Sequence, residues 1–114
     1  METKTATAAL SALAHDGRLA IFRLLVQAGP GGITVGTIAE KLKIPAATLS
    51  FHLAQLQHAG LVAARRNGRK LIQTADYGQM NELIGYLTEN CCGNDAACAP
   101  VCAPAAKPKR RKKP

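Results

Sequence analysis

The chain has 114 residues, of which 47% are hydrophobic and only 4% aromatic. That allows one modest helix-rich domain with a thin Leu, Ile, Val and Ala core, of the kind that often leans on a partner subunit. The formal charge of +8 invites a polyanionic partner, but Lys107, Lys109, Arg110, Arg111, Lys112 and Lys113 supply six of the fifteen basic residues. Residues 1–106 keep nine basic against seven acidic side chains, about +2, so charge alone supports only a loose nucleic-acid contact by the tail. No run approaches membrane-spanning length, and His15, Asp16 and Arg18 break the first apolar stretch, so no membrane association and a cytoplasmic location are expected.

Residues 5–13 are rich in Ala and Leu and predict a short helix with Leu10 and Leu13 on one face. Asp16 is suited to cap a second helix, whose Leu19, Phe22, Leu24 and Leu25 form a broad apolar face stopped by Gly29-Pro30-Gly31-Gly32,. Thr34 is suited to cap a third, with Val35, Ile38 and Leu42 spaced i, i+3 and i+7. Pro45 fits the first turn of a fourth helix, in which Leu49, Leu53 and Leu56 make one stripe and Gly60 is the terminator,. The third and fourth helices form a helix-turn-helix pair. Residues 61–66 and 69–74 then flank Asn67-Gly68, a strong signal for a two-residue hairpin, which would be a wing,. Asp76 fits the cap of a fifth helix, with Met80, Leu83, Ile84 and Leu87 spaced i, i+3, i+4 and i+7, running toward Asn90,. The fold class expected is mainly α with a β-hairpin wing: a dimeric winged helix-turn-helix.

A reading helix enters the major groove by its N-terminal turns while its apolar stripe packs inward. Off the Leu49, Leu53, Leu56 stripe lie Ala47, Thr48, Ser50, Phe51, Ala54 and Gln55. The polar members have donors and acceptors for base edges or phosphates, and Ala47 and Phe51 suit a thymine methyl. Phe51 falls nearly opposite the stripe, so either neighbouring side chains cover it or it faces the groove. His52, at the edge of the stripe, is a candidate phosphate donor or a backbone-bonded group within the fold. Arg65, Arg66, Arg69 and Lys70 crowd the wing tip and are candidate backbone contacts. His15 and His58 have no partner at metal-ligand spacing and read as solvent-side residues.

The segments Asp16-Gly17-Arg18-Leu19-Ala20-Ile21-Phe22-Arg23-Leu24-Leu25, Leu49-Ser50-Phe51-His52-Leu53-Ala54-Gln55-Leu56 and Ala59-Gly60-Leu61-Val62, followed by the Asn67-Gly68 wing, resemble the ArsR/SmtB family of metal-responsive repressors over residues 5–90. The resemblance implies a homodimer joined through the first and last helices, bound to double-stranded operator DNA with an inverted repeat and released by a metal or metalloid. It also implies where an inducer would sit. The third helix lacks the cysteine pair of one arsenic-responsive type, and no histidine accompanies Asp76, Glu82 and Glu89 on the last helix, as the zinc-responsive type would require. Cys91, Cys92 and Cys98 are similar to members that bind trivalent arsenic with a vicinal pair and a third thiol, and Cys102 departs from that pattern.

Four cysteines lie between residues 91 and 102 and none elsewhere, which suits soft-metal or redox chemistry better than packing. Trivalent arsenic or antimony takes three thiolates in a pyramid, and the loop from Gly93 to Ala97 is long enough to return Cys98. Cys102 is then a possible auxiliary, or a fourth ligand suited to zinc, cadmium or lead. The expected organisation is a DNA-binding and dimerisation domain over 1–90, an inducer segment over 91–102 and a disordered basic tail over 103–114, with no cofactor required for DNA binding and As(III) or Sb(III) as inducer. The same fold with cysteines acting as a redox or reactive-sulfur sensor is the alternative, and an architectural protein relying on its basic tail is another. Catalysis is not expected, because no nucleophile set, glycine-rich phosphate loop or spaced carboxylate pair is present.

Overall fold

The computed structural model describes residues 1–94. In chain order these form α1 (Thr3–Leu13), α2 (Asp16–Ala28), β1 (Ile33–Thr34), α3 (Val35–Leu42), α4 (Ala46–His58), β2 (Val62–Asn67), β3 (Lys70–Ala75), α5 (Tyr77–Leu87) and a 3-10 turn at Cys91–Asn94.

In α1 the inward face is alanine. Ala6, Ala9 and Ala12 are buried at i, i+3 and i+6, and these small side chains let the helix lie close on α2 and α4. Leu10 points away and is 43% exposed. Of the face expected at Leu10 and Leu13, only Leu13 packs against the core, beside the buried alanines. The cap of α2 also differs from expectation. His15 occupies the N-cap, its Nδ1 accepting from the Gly17 N–H at 3.0 Å. Asp16 becomes the first helical residue, where its carboxylate meets the positive end of the helix,.

Ile21, Phe22 and Leu25 of α2 pack on Ile38 of α3 and on Leu49, Leu53 and Leu56 of α4, with Leu61, Val62, Ala75 and Leu83 closing the core. Thr34 caps α3 as its position suggested, its hydroxyl accepting from the Thr37 N–H at 3.2 Å. Proline disfavours helical geometry at the residue before it, so α3 cannot run on through Ile44. Lys43 turns left-handed at φ 55 and Pro45 caps α4 at ψ 145, outside the first helical turn. The end of α4 is a Schellman motif on Gly60, at φ +80: the Gly60 N–H donates to Gln57 O and the Leu61 N–H to Leu56 O, both at 3.0 Å,.

The sheet is antiparallel with strand order β1-β3-β2. The short β1 has no sequence signature and pairs Ile33 with Gln73 and Thr34 with Ile72. The hairpin turn falls one residue later than Asn67-Gly68. Asn67 pairs with Lys70, so Gly68 and Arg69 are the loop, and only Gly68 takes positive φ, at 66. A glycine at the first central position suits a type II′ turn, and Asn67 is spared a left-handed conformation. Asp76 caps α5 through Gln79 N–H at 3.0 Å, and the helix stops at Leu87, short of Asn90. Thr3 and Tyr86 share a hydrogen bond of 2.6 Å between α1 and α5, and the Tyr77 hydroxyl donates to Val26 O at 3.0 Å. Among the described residues no helix is long and apolar enough to cross a membrane.

Candidate nucleic-acid interface

Helix α4 separates its two faces cleanly. Leu49 and Leu56 have no exposed surface and Leu53 very little, whereas Ala47, Thr48, Ser50, Phe51 and Gln55 are all exposed. Phe51 is 59% exposed, so neighbouring side chains do not cover it. The polar candidates and this phenyl ring thus share the open side of one helix.

His52 does not join them. It is buried against the start of α2, with its ring centroid 4.7 Å from that of His15 and its Nδ1 without a hydrogen-bond partner among the described residues. A Cβ on Gly17 would stand 3.3 Å from His52 Nε2, so the glycine is what lets the histidine approach. A ring enclosed in this way cannot reach a phosphate, and His52 leaves the set of DNA-contact candidates. Alternation off the Leu stripe was too coarse to show this. Its position falls close enough to Leu49 and Leu53 to be drawn in once α2 packs there.

Burial, then the neighbouring His15 and Arg18, lowers the His52 pKa from its ordinary value. The folded state thus prefers neutral imidazole, while the unfolded chain takes up a proton in the usual histidine range. Stability is complete above that range and falls as pH drops through it. His52→Leu, which fills similar space without titrating, should flatten this acid limb when unfolding free energy is followed by urea denaturation between about pH 7.5 and 5.5. An unchanged slope in the variant would assign the acid sensitivity elsewhere.

The four basic wing residues are all exposed but are not one cluster. By register, Arg65 and Lys70 share the sheet face of Ile72, Arg66 shares the opposite face with Leu71, and Arg69 sits in the turn,. Arg65 is also tied down, donating to Gly31 O at 2.8 Å. One positioning contact was invisible in the sequence. Gln73, 1% exposed, accepts a 2.9 Å hydrogen bond from the Gln57 side chain, which locks the wing's central strand to α4. The inward phase of β3 beside Ala75 was its only signal.

Of the cysteines, Cys91 and Cys92 open the 3-10 turn that follows α5, Cys91 is half-buried and disulfide-bonded, and Cys98 and Cys102 lie outside the described residues. The expected basic tail lies outside them too. Among the described residues no group of three or more His, Cys, Asp or Glu side chains could hold a metal ion. His15 and His58 are both exposed as expected, and His15 also caps α2.

Comparison with known proteins agrees with this geometry. The Helix-turn-helix domain family matches residues 13–65, which contain the α3–α4 pair. HTH-type transcriptional regulator YceK of Bacillus subtilis strain 168 is 40% identical over 77 residues, 67% of this chain and 76% of the relative. Among solved structures, the ArsR-like transcriptional regulator from Rhodococcus sp. RHA1 superposes with a TM-score of 0.70 at 22% identity, over 92% of this chain and 96% of that one. The homodimeric winged helix-turn-helix DNA-binding domain of Mb0332 from Mycobacterium bovis, described as a possible ArsR-family regulator, superposes with a TM-score of 0.60 at 27% identity, over 82% of this chain and 86% of that one. The sequence relatives are described as helix-turn-helix transcriptional regulators and not as enzymes. The chain belongs to the helix-turn-helix transcriptional regulators, and it shares its winged fold with ArsR-like regulators of known structure.

Proposed function

We propose that the chain is a cytoplasmic homodimeric repressor that grips an inverted-repeat operator and lets go when As(III) or Sb(III) binds Cys91, Cys92 and Cys98. Residues 1–90 are the DNA-binding and dimerisation unit, 91–102 the inducer segment and 103–114 a basic tail that adds unspecific attraction. Ala47, Thr48, Ser50, Phe51 and Gln55 face the major groove, and Arg66, Arg69 and Lys70 contact the backbone, with Arg65 shared between the wing anchor and phosphate. DNA binding needs no cofactor.

The observation that carries the inducer site is the position of Cys91 in the turn that directly follows α5. Leu10 of α1 and Ile84 and Leu87 of α5 are exposed apolar side chains on the two helices that would join the subunits, and Mb0332 is described as homodimeric. Ligands gathered at the end of a dimer helix have leverage on how the two copies sit. Arsenous acid and three thiols give three S–As bonds and three waters, and the lone pair stays on the open side of the pyramid. Release requires that the ligated dimer bind DNA more weakly than the free one, since an inducer acts only through that difference. Cys102 remains as an auxiliary thiol.

A second reading is favoured by one observation: Cys91 is disulfide-bonded. In that case two thiols lose two protons and two electrons to an oxidant, and disulfide formation is itself the signal. Fluorescence anisotropy of the reduced protein on a duplex it has selected from a random pool distinguishes the two. Arsenite or antimonite should release wild type and leave Cys91→Ser/Cys92→Ser/Cys98→Ser bound. Release of that triple variant would remove the metalloid site from these residues. Release by an oxidant alone assigns the redox role, and release by cadmium, lead or zinc but not arsenite assigns a four-thiol site.

A further inference from the structure

A polar pocket of about 220 Å³ opens between α1, α2 and α4, formed by Ser11, Arg18, Gln55 and His58 against alanine walls that include Ala8 and Ala12. It lies at the C-terminal half of α4 and shares Gln55 with the proposed groove face, while Ser11, Arg18 and His58 lie outside that face. None of the residues lining it is acidic.

Arg18 gives the pocket its character. The side chain is half-buried, and its Nε donates to Ala12 O at 2.6 Å, which fixes the guanidinium plane against the end of α1. The remaining N–H groups of the guanidinium keep their donor capacity. Its charge is felt nearby, since it is one of the groups that disfavour a proton on His52. A half-buried guanidinium whose pocket holds no carboxylate leaves a positive potential in partly desolvated surroundings. Around it stand a serine hydroxyl, a glutamine amide and an imidazole, each able to donate a hydrogen bond.

We infer that this pocket binds a small free oxyanion, of the size of inorganic phosphate or a short carboxylate. Size sets the upper limit. Sites for drug-sized ligands run from about 300 Å³ upward, and this one is smaller, which favours a small anion over a nucleotide or a larger acid. Chemistry sets the sign: several side chains able to donate and a fixed guanidinium match an oxyanion, and no carboxylate lines the pocket to hold a cation,. The site draws on α1, α2 and α4 together, so a bound anion bridges the helix expected at the dimer interface and the helix expected in the groove.

Inorganic phosphate is the probe. In ¹H–¹⁵N spectra of the full chain, phosphate should shift the signals of Ser11, Arg18, Gln55 and His58 and saturate by about 10 mM, an affinity that a few charge-assisted hydrogen bonds can supply. Chloride at equal ionic strength should leave them in place. Ser11→Asp puts a negative charge at the exposed rim and should weaken phosphate at least about tenfold, and His58→Ala, also at an exposed position, should weaken it several-fold. Neither should change binding to a DNA duplex. A linear response shared with chloride, or unchanged affinity in both variants, would overturn the inference. So would loss of duplex binding in Ser11→Asp when wild type shows no phosphate saturation, because the pocket would then serve the DNA backbone.

Discussion

Gly32→Ala is expected to destabilise the domain by about 2–5 kcal/mol, the sum of a left-handed penalty of roughly 1–2 and an overpacking penalty of roughly 1–3. Gly32 sits at φ +76, and a Cβ there would stand 2.5 Å from Gln73 O, 2.6 Å from Thr74 Cγ2 and 2.7 Å from Ile72 Cγ2. The oxygen belongs to the backbone of β3, the central strand, which is held by β1 on one side and β2 on the other. It cannot yield without disturbing both pairings. At about 4–8 °C per kcal/mol for a domain of this size, the melting temperature should fall by about 10 °C or more. Gly31→Ala is the control, because a Cβ there meets nothing within 4 Å. The damage should extend to the wing, since Arg65 is anchored on Gly31 O just before β1. A Gly32→Ala protein as stable as Gly31→Ala in thermal melts would mean that β1 does not dock on β3 as described.

This position also marks the border of what the sequence discloses. The stripe Leu49, Leu53, Leu56 and the caps Thr34 and Asp76 were legible because helical periodicity and side-chain capping are local rules. A two-residue strand has no periodicity, and a glycine needed for a close approach looks like any other glycine in a Gly-Pro-Gly-Gly run. The cap of α2 went to His15 and not to Asp16, and His15 also packs its ring, tilted, against His52, a partner 37 residues away that no local rule supplies. The hairpin was legible as a turn, yet its register was set by pairing along β2 and β3 and not by the Asn-Gly signal alone,. In α1 the leucine spacing did not disclose that Ala6, Ala9 and Ala12 form the buried face, because close helix packing selected the small side chains. Every residue that the rotation argument put on the open side of α4 is exposed, whereas His52, put at the edge of the stripe, is drawn inward by tertiary packing.

Ser50→Glu tests that face most directly, with an expected loss of DNA affinity of at least about a hundredfold, or roughly 3 kcal/mol. The fold should not suffer. Ser50 is exposed on α4, glutamate is a good helix former, and a carboxylate within the first turns favours the helix dipole,. The cost falls on recognition instead, through a lost hydroxyl contact worth about 1–3 kcal/mol if made to a base edge and through a negative charge brought against a polyanion. His52→Leu supplies the internal comparison. It lies two residues on, but its side chain points inward against α2, so at neutral pH its DNA affinity should stay within about a factor of two to three of wild type,. Anisotropy measurements on one duplex at a fixed salt concentration, with unfolding curves on the same samples, separate binding from stability. If a folded Ser50→Glu protein held DNA as wild type does while His52→Leu lost it, α4 would be rotated relative to the groove and the contact set would have to be redrawn from its other face.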